Sequence, residues 1–376
     1  MKKKLRIGVI FGGRSGEHEV SLVSAESVMK ALDKSKYDVT PIGITKEGKW
    51  LTSSDPLKEL KAERYKELNT QNIISPDSTK KSLVPIKSKH LTTHKVTNKK
   101  LDVIIPMLHG PYGEDGTIQG LLELANIPYV GANLLSSAVN MDKVIQKQLF
   151  QQADLPVVDF IYFLSREFKR GKKSIALKVK KLGFPVFVKP ANLGSSVGIS
   201  KVRSQKELYA AINYAIQYDR KIIIEKAIIN PREIEVSVLG NDTPKASLPG
   251  EIVASNEFYD YDAKYVDGSS KAIIPARLPK ETTEQIKKIA VNAFKVTDCS
   301  GMARVDFLIA RRKKIYLSEI NTIPGFTSIS MYPKLWQASG LSYSKLLDEL
   351  IKLALEKHKE KSKLLTSYQP KRKWYQ

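Results

Sequence analysis

The sequence predicts an α/β chain, α+β in part, built from more than one domain. Strand-like runs alternate with helical ones through the first third of the chain, the pattern of a doubly wound parallel sheet. Later runs are joined by short turns and small-residue loops, which marks antiparallel pairing. At 376 residues the chain is too long for one ordinary core, so two or three domains are expected.

Composition narrows the function. Apolar residues make up 42% of the chain, enough for such cores, and no run of about eighteen apolar residues suggests a membrane span. Met1-Lys2-Lys3-Lys4 leads straight into a strand whose apolar stretch is too short for a signal peptide. The single cysteine, Cys299, rules out an internal disulfide and suits the reducing cytoplasm, where it reads as a small core residue. A net charge of +23 raises the question of a polyanionic partner. The densest basic regions, Lys58 to Lys100 and Lys357 to Lys373, interleave no aromatic residues in a nucleic-acid module. We therefore expect a solvated basic surface that binds neither nucleic acid nor membrane, though it would favour an anionic nucleotide.

In chain order, Leu5 to Phe11 reads as a buried strand, followed by Gly12-Gly13 and a helix from Ser21 to about Leu32. A strand, glycine turn and helix start expose backbone N–H groups, but G-x-G-x-x-G is missing, so no nicotinamide cofactor is expected. Glu17 sits at that turn as a candidate ligand residue, while Glu19 suits the helix dipole. Val39 to Ile44 is a second strand, and residues 52 to 100 read as irregular surface with a short helix near Leu57 to Leu68. A strand at Leu101 to Leu108 runs into His109-Gly110 and Gly113-Glu114-Asp115-Gly116, then a helix to Ala125 and a short strand at Pro128 to Gly131. Ligands of doubly wound sheets gather at the carboxyl ends of the strands, where Glu17 and His109 both fall.

Two helical pieces span Leu134 to Leu155, followed by strands at Val157 to Phe163 and Pro185 to Pro190 with a helix at Ser174 to Leu182 between them. Between Lys189 and a strand at Ile199 to Val202 lies Gly194-Ser195-Ser196-Val197-Gly198. Small residues there let amides approach phosphate oxygens, although the Walker pattern is absent. Ser204 and Glu207 spell a capping box for a helix to Tyr218. Strands follow at Lys221 to Lys226 and Pro231 to Leu239, with Glu233 and Glu235 on one face. Ser255 to Ser270 is an aromatic and polar loop long enough to be a lid. Helices at Thr283 to Val296 and Ser342 to Lys357 frame the last part.

The organising stretch is a hairpin of Ala303 to Ile309 and Ile315 to Asn321, joined by a basic turn. Residues two apart in a strand share a face, so Arg304 and Asp306 point one way and Val305 and Phe307 the other. Glu319 and Asn321 behave likewise. Antiparallel pairing gathers an Asp, a Glu and an Asn on one face, an all-oxygen set suited to a hard cation such as Mg2+. An ordinary hairpin would simply present these residues to water. Thr322-Ile323-Pro324-Gly325 directly beyond them is a shaped loop at a sheet end, where ligands are commonly held.

These motifs, taken together and in order, resemble the ATP-grasp superfamily and, within it, the D-alanine:D-alanine ligases. Five segments carry the resemblance: Phe11-Gly12-Gly13-x-Ser15-x-Glu17-His18-Glu19; His109-Gly110 with Gly113 to Gly116; Lys189-Pro190 with Gly194 to Gly198; Tyr259-Asp260-Tyr261-x-Ala263-Lys264-Tyr265; and Glu319-x-Asn321-Thr322-x-Pro324-Gly325. The resemblance implies an ATP-grasp fold with an N-terminal domain at 1–132, a central one at 133–225, a C-terminal one at 226–362 and a basic tail at 363–376. ATP would lie between the last two domains, and two D-alanines between the first and the last.

By the same resemblance, Lys143 and Lys189 would meet ATP phosphates, and the loop of Gly194, Ser195, Ser196 and Val197 would cover them. Glu225, Lys226, Ala227, Ile228 and Glu233 would surround adenine and ribose beside Phe258. Asp306, Glu319 and Asn321 would hold two Mg2+ or Mn2+ ions, and a monovalent cation is allowed as a further cofactor. Glu17 would bind the first ammonium with His109 near it, and Ser330 with the Met331 backbone would bind the second carboxylate. Arg304 and the Gly325 N–H would stabilise the tetrahedral oxyanion. Ser195, Tyr265 and Glu17 would lock the lid, and the Lys264-Tyr265 pair favours an amine as second substrate. A cytoplasmic homodimer supplying peptidoglycan precursors is implied. The alternatives are a D-alanine:D-lactate or D-alanine:D-serine ligase and, more remotely, a silent ATP-binding or polyanion-binding protein.

Overall fold

The computed structural model describes residues 3–64, 72–85, 100–194, 196–253, 271–311 and 314–370. The first part consists of β1 (Leu5–Gly12), α1 (His18–Ala31), β2 (Tyr37–Ile44), β3 (Trp50–Leu51), α2 (Pro56–Lys61), β4 (Asn72–Ile74), β5 (Leu83–Pro85), β6 (Val103–Met107) and α3 (Thr117–Leu124). Beyond Arg6, β1 is apolar and buried because it is central, parallel to β2 on one side and to β6 on the other, and covered on both faces. β3 closes the edge antiparallel to β2.

The chain continues through α4 (Leu134–Met141), α5 (Lys143–Gln152), β7 (Phe160–Leu164), α6 (Ser165–Leu182), β8 (Val186–Pro190), β9 (Ser200–Val202), α7 (Gln205–Ile216) and β10 (Lys221–Lys226). These strands form an antiparallel sheet in the order β7-β10-β8-β9. α6 lies on it through Phe168, Ile175, Ala176 and Val179, a single helical stripe, and turns its lysines outward.

The last part holds β11 (Arg232–Gly240), β12 (Lys245–Ala246), β13 (Gly250–Val253), β14 (Lys271–Ile273), α8 (Lys280–Val296), β15 (Gly301–Ile309), β16 (Ile315–Asn321), α9 (Met331–Ala338) and α10 (Tyr343–Lys361). Its sheet runs β14-β13-β11-β15-β16 with β12 on β11. One apolar core packs Ile234, Val236, Phe294, Val305 and Phe307 between this sheet and α8. A second core is shared: Val9, Phe11 and Leu22 from the parallel sheet and α1 pack with Phe326, Tyr332, Trp336 and Leu350 from the far end of the chain. That joint core seats the Ile323–Phe326 loop against the carboxyl ends of β1 and β6.

Several elements differ from expectation. α1 begins at His18, three residues early, and α6 begins at Ser165, with Gly171 non-helical inside it. Both carry polar or glycine residues that mask their helical period. Tyr129 makes only an isolated bridge to Ile104, so Pro128 to Gly131 is not a strand. Residues 72–85 contain a two-stranded pairing of β4 with β5 where irregular surface was expected, and α2 ends at Lys61. The capping box at α7 is altered: Glu207 accepts from the Arg203 N–H at 2.9 Å and from the Ser204 hydroxyl at 3.0 Å, so the Ser204 side chain caps no N–H. The lid expected at 255–270 lies outside the described residues.

Phe307 is 1% exposed at the centre of the C-terminal core. Phe307→Ala is expected to lower unfolding free energy by about 3–5 kcal/mol in a urea titration, and a loss below ~1 kcal/mol would show that the core refills.

Candidate active site

The N-terminal wall of the site begins at the turn after β1. Gly12 has φ +89°, and a Cβ there would lie 2.1 Å from the Ile44 carbonyl oxygen, so only glycine lets the chain turn so close to β2. The Gly12 N–H donates to Ser21 Oγ at 2.7 Å, Ser21 donates to the Met107 carbonyl, and His18 Nδ1 donates to the Gly13 carbonyl at 2.9 Å. These bonds hold Glu17 in a narrow slot. A Cβ on Gly110 would come within 2.7 Å of Glu17 Oε2, and one on Gly194 within 3.1 Å. Glu17 therefore sits where the first sheet meets the small-residue loop of the central part.

His109 is buried, and both its ring nitrogens are engaged. Nδ1 lies 3.0 Å from the Ile323 carbonyl, which can only accept, so Nδ1 carries the proton and Nε2 accepts from Ser24 Oγ at 3.0 Å. Burial lowers its pKa, the Glu17 charge opposing, and keeps the ring neutral. Glu114, to which the sequence reading gave no role, lies beside it. Its carboxyl accepts from the Gly110 N–H at 2.8 Å and the Ile323 N–H at 3.3 Å. Burial, with the neighbouring Glu17 charge adding to it, pushes its pKa up to about 8. His109 and Glu114 thus stitch the β6 loop to the Ile323–Phe326 loop.

The opposite wall is the hairpin. β15 and β16 pair with Arg304 opposite Asn321 and Asp306 opposite Glu319, so all four share a face. Arg304 Nε and Nη2 donate to the two Asp306 oxygens at 2.8 and 2.7 Å, and Nε lies 3.2 Å from Glu235 Oε2. Burial would lower the Arg304 pKa, but Asp306 and Glu235 outweigh it and raise it further, so the cation is permanent. Asn321 Nδ2 donates to Asp306 Oδ2 at 2.9 Å, which turns its oxygen away from Asp306. Between β15 and β16 the register slips after Asp306, leaving Ser318 without an opposite residue.

The central part contributes Lys143, whose Nζ donates to the Leu193 carbonyl at 2.9 Å and lies 3.5 Å from Glu319 Oε2. Asp142 caps α5 by accepting from the Val144 and Ile145 N–H groups and pairs with Lys221. Glu225 is buried between Lys189, 2.6 Å from Oε2, and Lys147, 3.0 Å from Oε1. Burial works against its charge, but the two lysines overcome it and hold its pKa down at about 2.

Together these walls enclose a cavity of about 380 Å3. Of the expected residues it brings together Glu17, His109, Lys143, Gly194, Arg304, Glu319, Asn321, Gly325, Ser330 and Met331. Asp306 backs the wall through Arg304 and Asn321. Lys189 and Glu225 lie behind it, and the Lys226 ammonium is turned to the Gly183 carbonyl at 2.9 Å. Ala227, Ile228, Glu233, Ser196 and Val197 do not line the cavity. Ser195, Phe258, Lys264 and Tyr265 lie outside the described residues. No group of three or more His, Cys, Asp or Glu side chains placed to hold a metal occurs among the described residues. Glu319 and Asn321 line the cavity with Asp306 behind them, oxygen-bearing residues of the kind a hard cation takes, although Arg304 holds both Asp306 oxygens. The reading missed Glu114, Lys147 and Lys334, which lines the cavity mouth on α9. Glu114 stood inside a recognised motif, but nothing in a single sequence distinguishes Lys147 from a solvated helix lysine.

Two family profiles match the chain: D-ala D-ala ligase N-terminus over residues 6–132 and D-ala D-ala ligase C-terminus over residues 149–352. The chain belongs to the D-alanine–D-alanine ligase family. A relative from Thermoanaerobacter sp. (strain X514), a D-alanine–D-alanine ligase, is 52% identical over 363 residues, 96% of this chain and 99% of its own. Among solved structures, the D-alanine–D-alanine ligase from Coxiella burnetii superposes with a TM-score of 0.82 at 38% identity over 96% of each chain. The D-Ala:D-Ser ligase from Enterococcus faecalis gives 0.82 at 38% identity, over 94% of this chain and 100% of that one. The family's fold is the ATP-grasp fold, and its members use ATP.

Glu114 makes a pH signature for this family member. Its folded pKa, about 8, lies above the ordinary 4.5, so the folded state holds a proton that the unfolded state has lost between those values. This contribution to stability is fully present below about 4.5 and is lost as pH rises through about 8. Urea unfolding at pH 5.5 and 8.5 should show Glu114→Gln flattening that fall; an unchanged slope would mean Glu114 is ionised throughout.

Proposed function

We propose that this protein joins two D-alanines into D-alanyl-D-alanine with ATP, through a D-alanyl phosphate and with release of ADP and phosphate. The carrying observation is the cavity itself, in which Glu17 faces Arg304, Gly325, Glu319 and Asn321. An anion suits the ammonium of one amino acid, and a fixed cation with a loop N–H suits the oxygen of its reacting carboxyl group. Identity of about half to D-alanine–D-alanine ligases over nearly the whole chain favours D-alanine over D-serine as second substrate.

In the first step the D-alanine carboxylate attacks the γ-phosphorus and the bond to ADP breaks. Glu17 orients that substrate by its ammonium, and Lys143 and Lys189 offset charge on the phosphoryl oxygens. In the second step the neutral amine of the other D-alanine attacks the acyl carbon and phosphate leaves. Arg304, held planar against Asp306, and the Gly325 N–H meet the developing oxyanion. A Cβ on Gly325 would lie 2.8 Å from Ser330 Oγ, so the loop keeps its backbone close to the place where Ser330 and the Met331 N–H would take the second carboxylate. Mg2+ or Mn2+ held by Asp306, Glu319 and Asn321 would neutralise phosphate charge there. Ser195, Tyr265 and Glu17 would lock the lid over the acyl phosphate and exclude water, with Lys264 beside Tyr265 at the substrate and Phe258, Glu225, Lys226, Ala227, Ile228 and Glu233 around adenine and ribose. We place the enzyme in the cytoplasm as a homodimer, divided at the boundaries given above; no helix among the described residues is long and apolar enough to cross a membrane.

Phosphate release from ATP should require D-alanine, with D-alanyl-D-alanine identified by mass spectrometry. Release only with added D-serine or D-lactate would move the chain to another branch. Glu319→Gln and Arg304→Met should each lower kcat by about 10²–10³-fold or more while the circular dichroism spectrum stays unchanged. Near-normal turnover of either variant would remove that residue from the mechanism.

A further inference from the structure

We infer that Lys147 is a positioning residue: it pins the bulge at Ser318 in β16 and so aims the neighbouring Glu319 into the cleft. The inference rests on the function proposed above. Glu319 faces Asp306 while Leu317 faces Phe307, so two steps along β16 match one along β15 and Ser318 is the extra residue. Bulges bend a strand and redirect the side chains beside them. A bulged peptide also lacks a regular ladder neighbour, and its carbonyl needs another donor. Lys147 Nζ supplies one, donating to the Ser318 carbonyl at 2.9 Å. On the other side of the bulge the Leu317 N–H donates to the Pro156 carbonyl at 2.6 Å.

Lys147 shares Glu225 with Lys189, which lies 2.6 Å from Oε2 while Lys147 lies 3.0 Å from Oε1. Lys147 adds a second cation whose side chain is only 3% exposed, and burying a further charge is costly unless its geometry serves something. Its contacts span the nucleotide cleft: Glu225 belongs to β10 of the central sheet and Ser318 to β16 of the C-terminal sheet. One ammonium therefore ties the adenine side of the cleft to the metal side. Sequence position agrees, since Lys143 and Lys147 are one turn apart on α5, Lys143 facing the cavity and Lys147 the joint behind it.

The test compares the wild-type protein with Lys147→Met and Lys147→Gln, the second still able to donate to a carbonyl. Turnover with D-alanine, MgADP affinity by calorimetry and the thermal midpoint are measured for each. Lys147→Met should weaken MgADP binding and lower kcat by about 10–100-fold while KM for D-alanine stays within about twofold; Lys147→Gln should fall between. Wild-type MgADP affinity and kcat in Lys147→Met would overturn the inference. So would equal losses in both variants that extend to the KM for D-alanine, or failure of both to fold, since either marks general structural support. A wild-type protein that forms no dipeptide would instead sink the underlying function, whatever the variants do.

Discussion

Pairing of β15 with β16 puts Arg304 opposite Asn321 and Asp306 opposite Glu319, and the polar wall of the cleft follows from that register. A slip by one residue would send these side chains into the core and bring Val305 and Phe307 to the surface. The apolar alternation of β15 forbids it, because Val305 and Phe307 are buried with Ile234, Val236 and Phe294. Once the register is set, Arg304 is half-buried in the cleft wall and needs anions. It finds Asp306 on its own strand and Glu235 on β11.

Such a wall is useful only if something closes over it, and the shared core provides the closure. Phe326 packs on Tyr332 with ring centroids 5.3 Å apart and against Phe11 and Leu22 of the parallel sheet layer. Residues more than 300 positions apart thus share one apolar unit. The Ile323–Phe326 loop cannot move independently of the turn that carries Glu17. His109 and Glu114 add polar stitches in the same place, and both achieve this by staying uncharged at neutral pH. A neutral imidazole and a neutral carboxyl can be buried beside Glu17 with little desolvation cost, whereas a second carboxylate there could not.

The buried charges at the central sheet follow the opposite rule. Glu225 remains ionised because two lysines surround it; Glu225 and Glu319 raise the pKa of Lys189 against its burial, whereas burial lowers that of Lys147 despite the same two carboxylates. Such clusters tolerate loss of one member poorly. Their positions are therefore tied to the geometry of both sheets, since Lys147 contacts Glu225 on β10 and Ser318 on β16.

Much of this was already legible in the chain. Period-two alternation in Val305 to Ile309 specified that strand of the hairpin and its polar face, because parity sets side-chain direction in a regular strand; in Ile315 to Asn321 parity breaks at Ser318, so Leu317 and Ile320 both enter the core. Glycines at 12, 110 and 194 announced tight approach, because they sit in loops at strand ends. What the sequence could not settle depended on distant partners. Glu114 and Lys147 are ordinary charged residues until the fold buries one beside Glu17 and the other beside Glu225, and the bulge at Ser318 appears only when β16 is laid on β15. Local pattern determines which face a residue takes; only tertiary packing decides what stands opposite it, and charge state and aim depend on that neighbour.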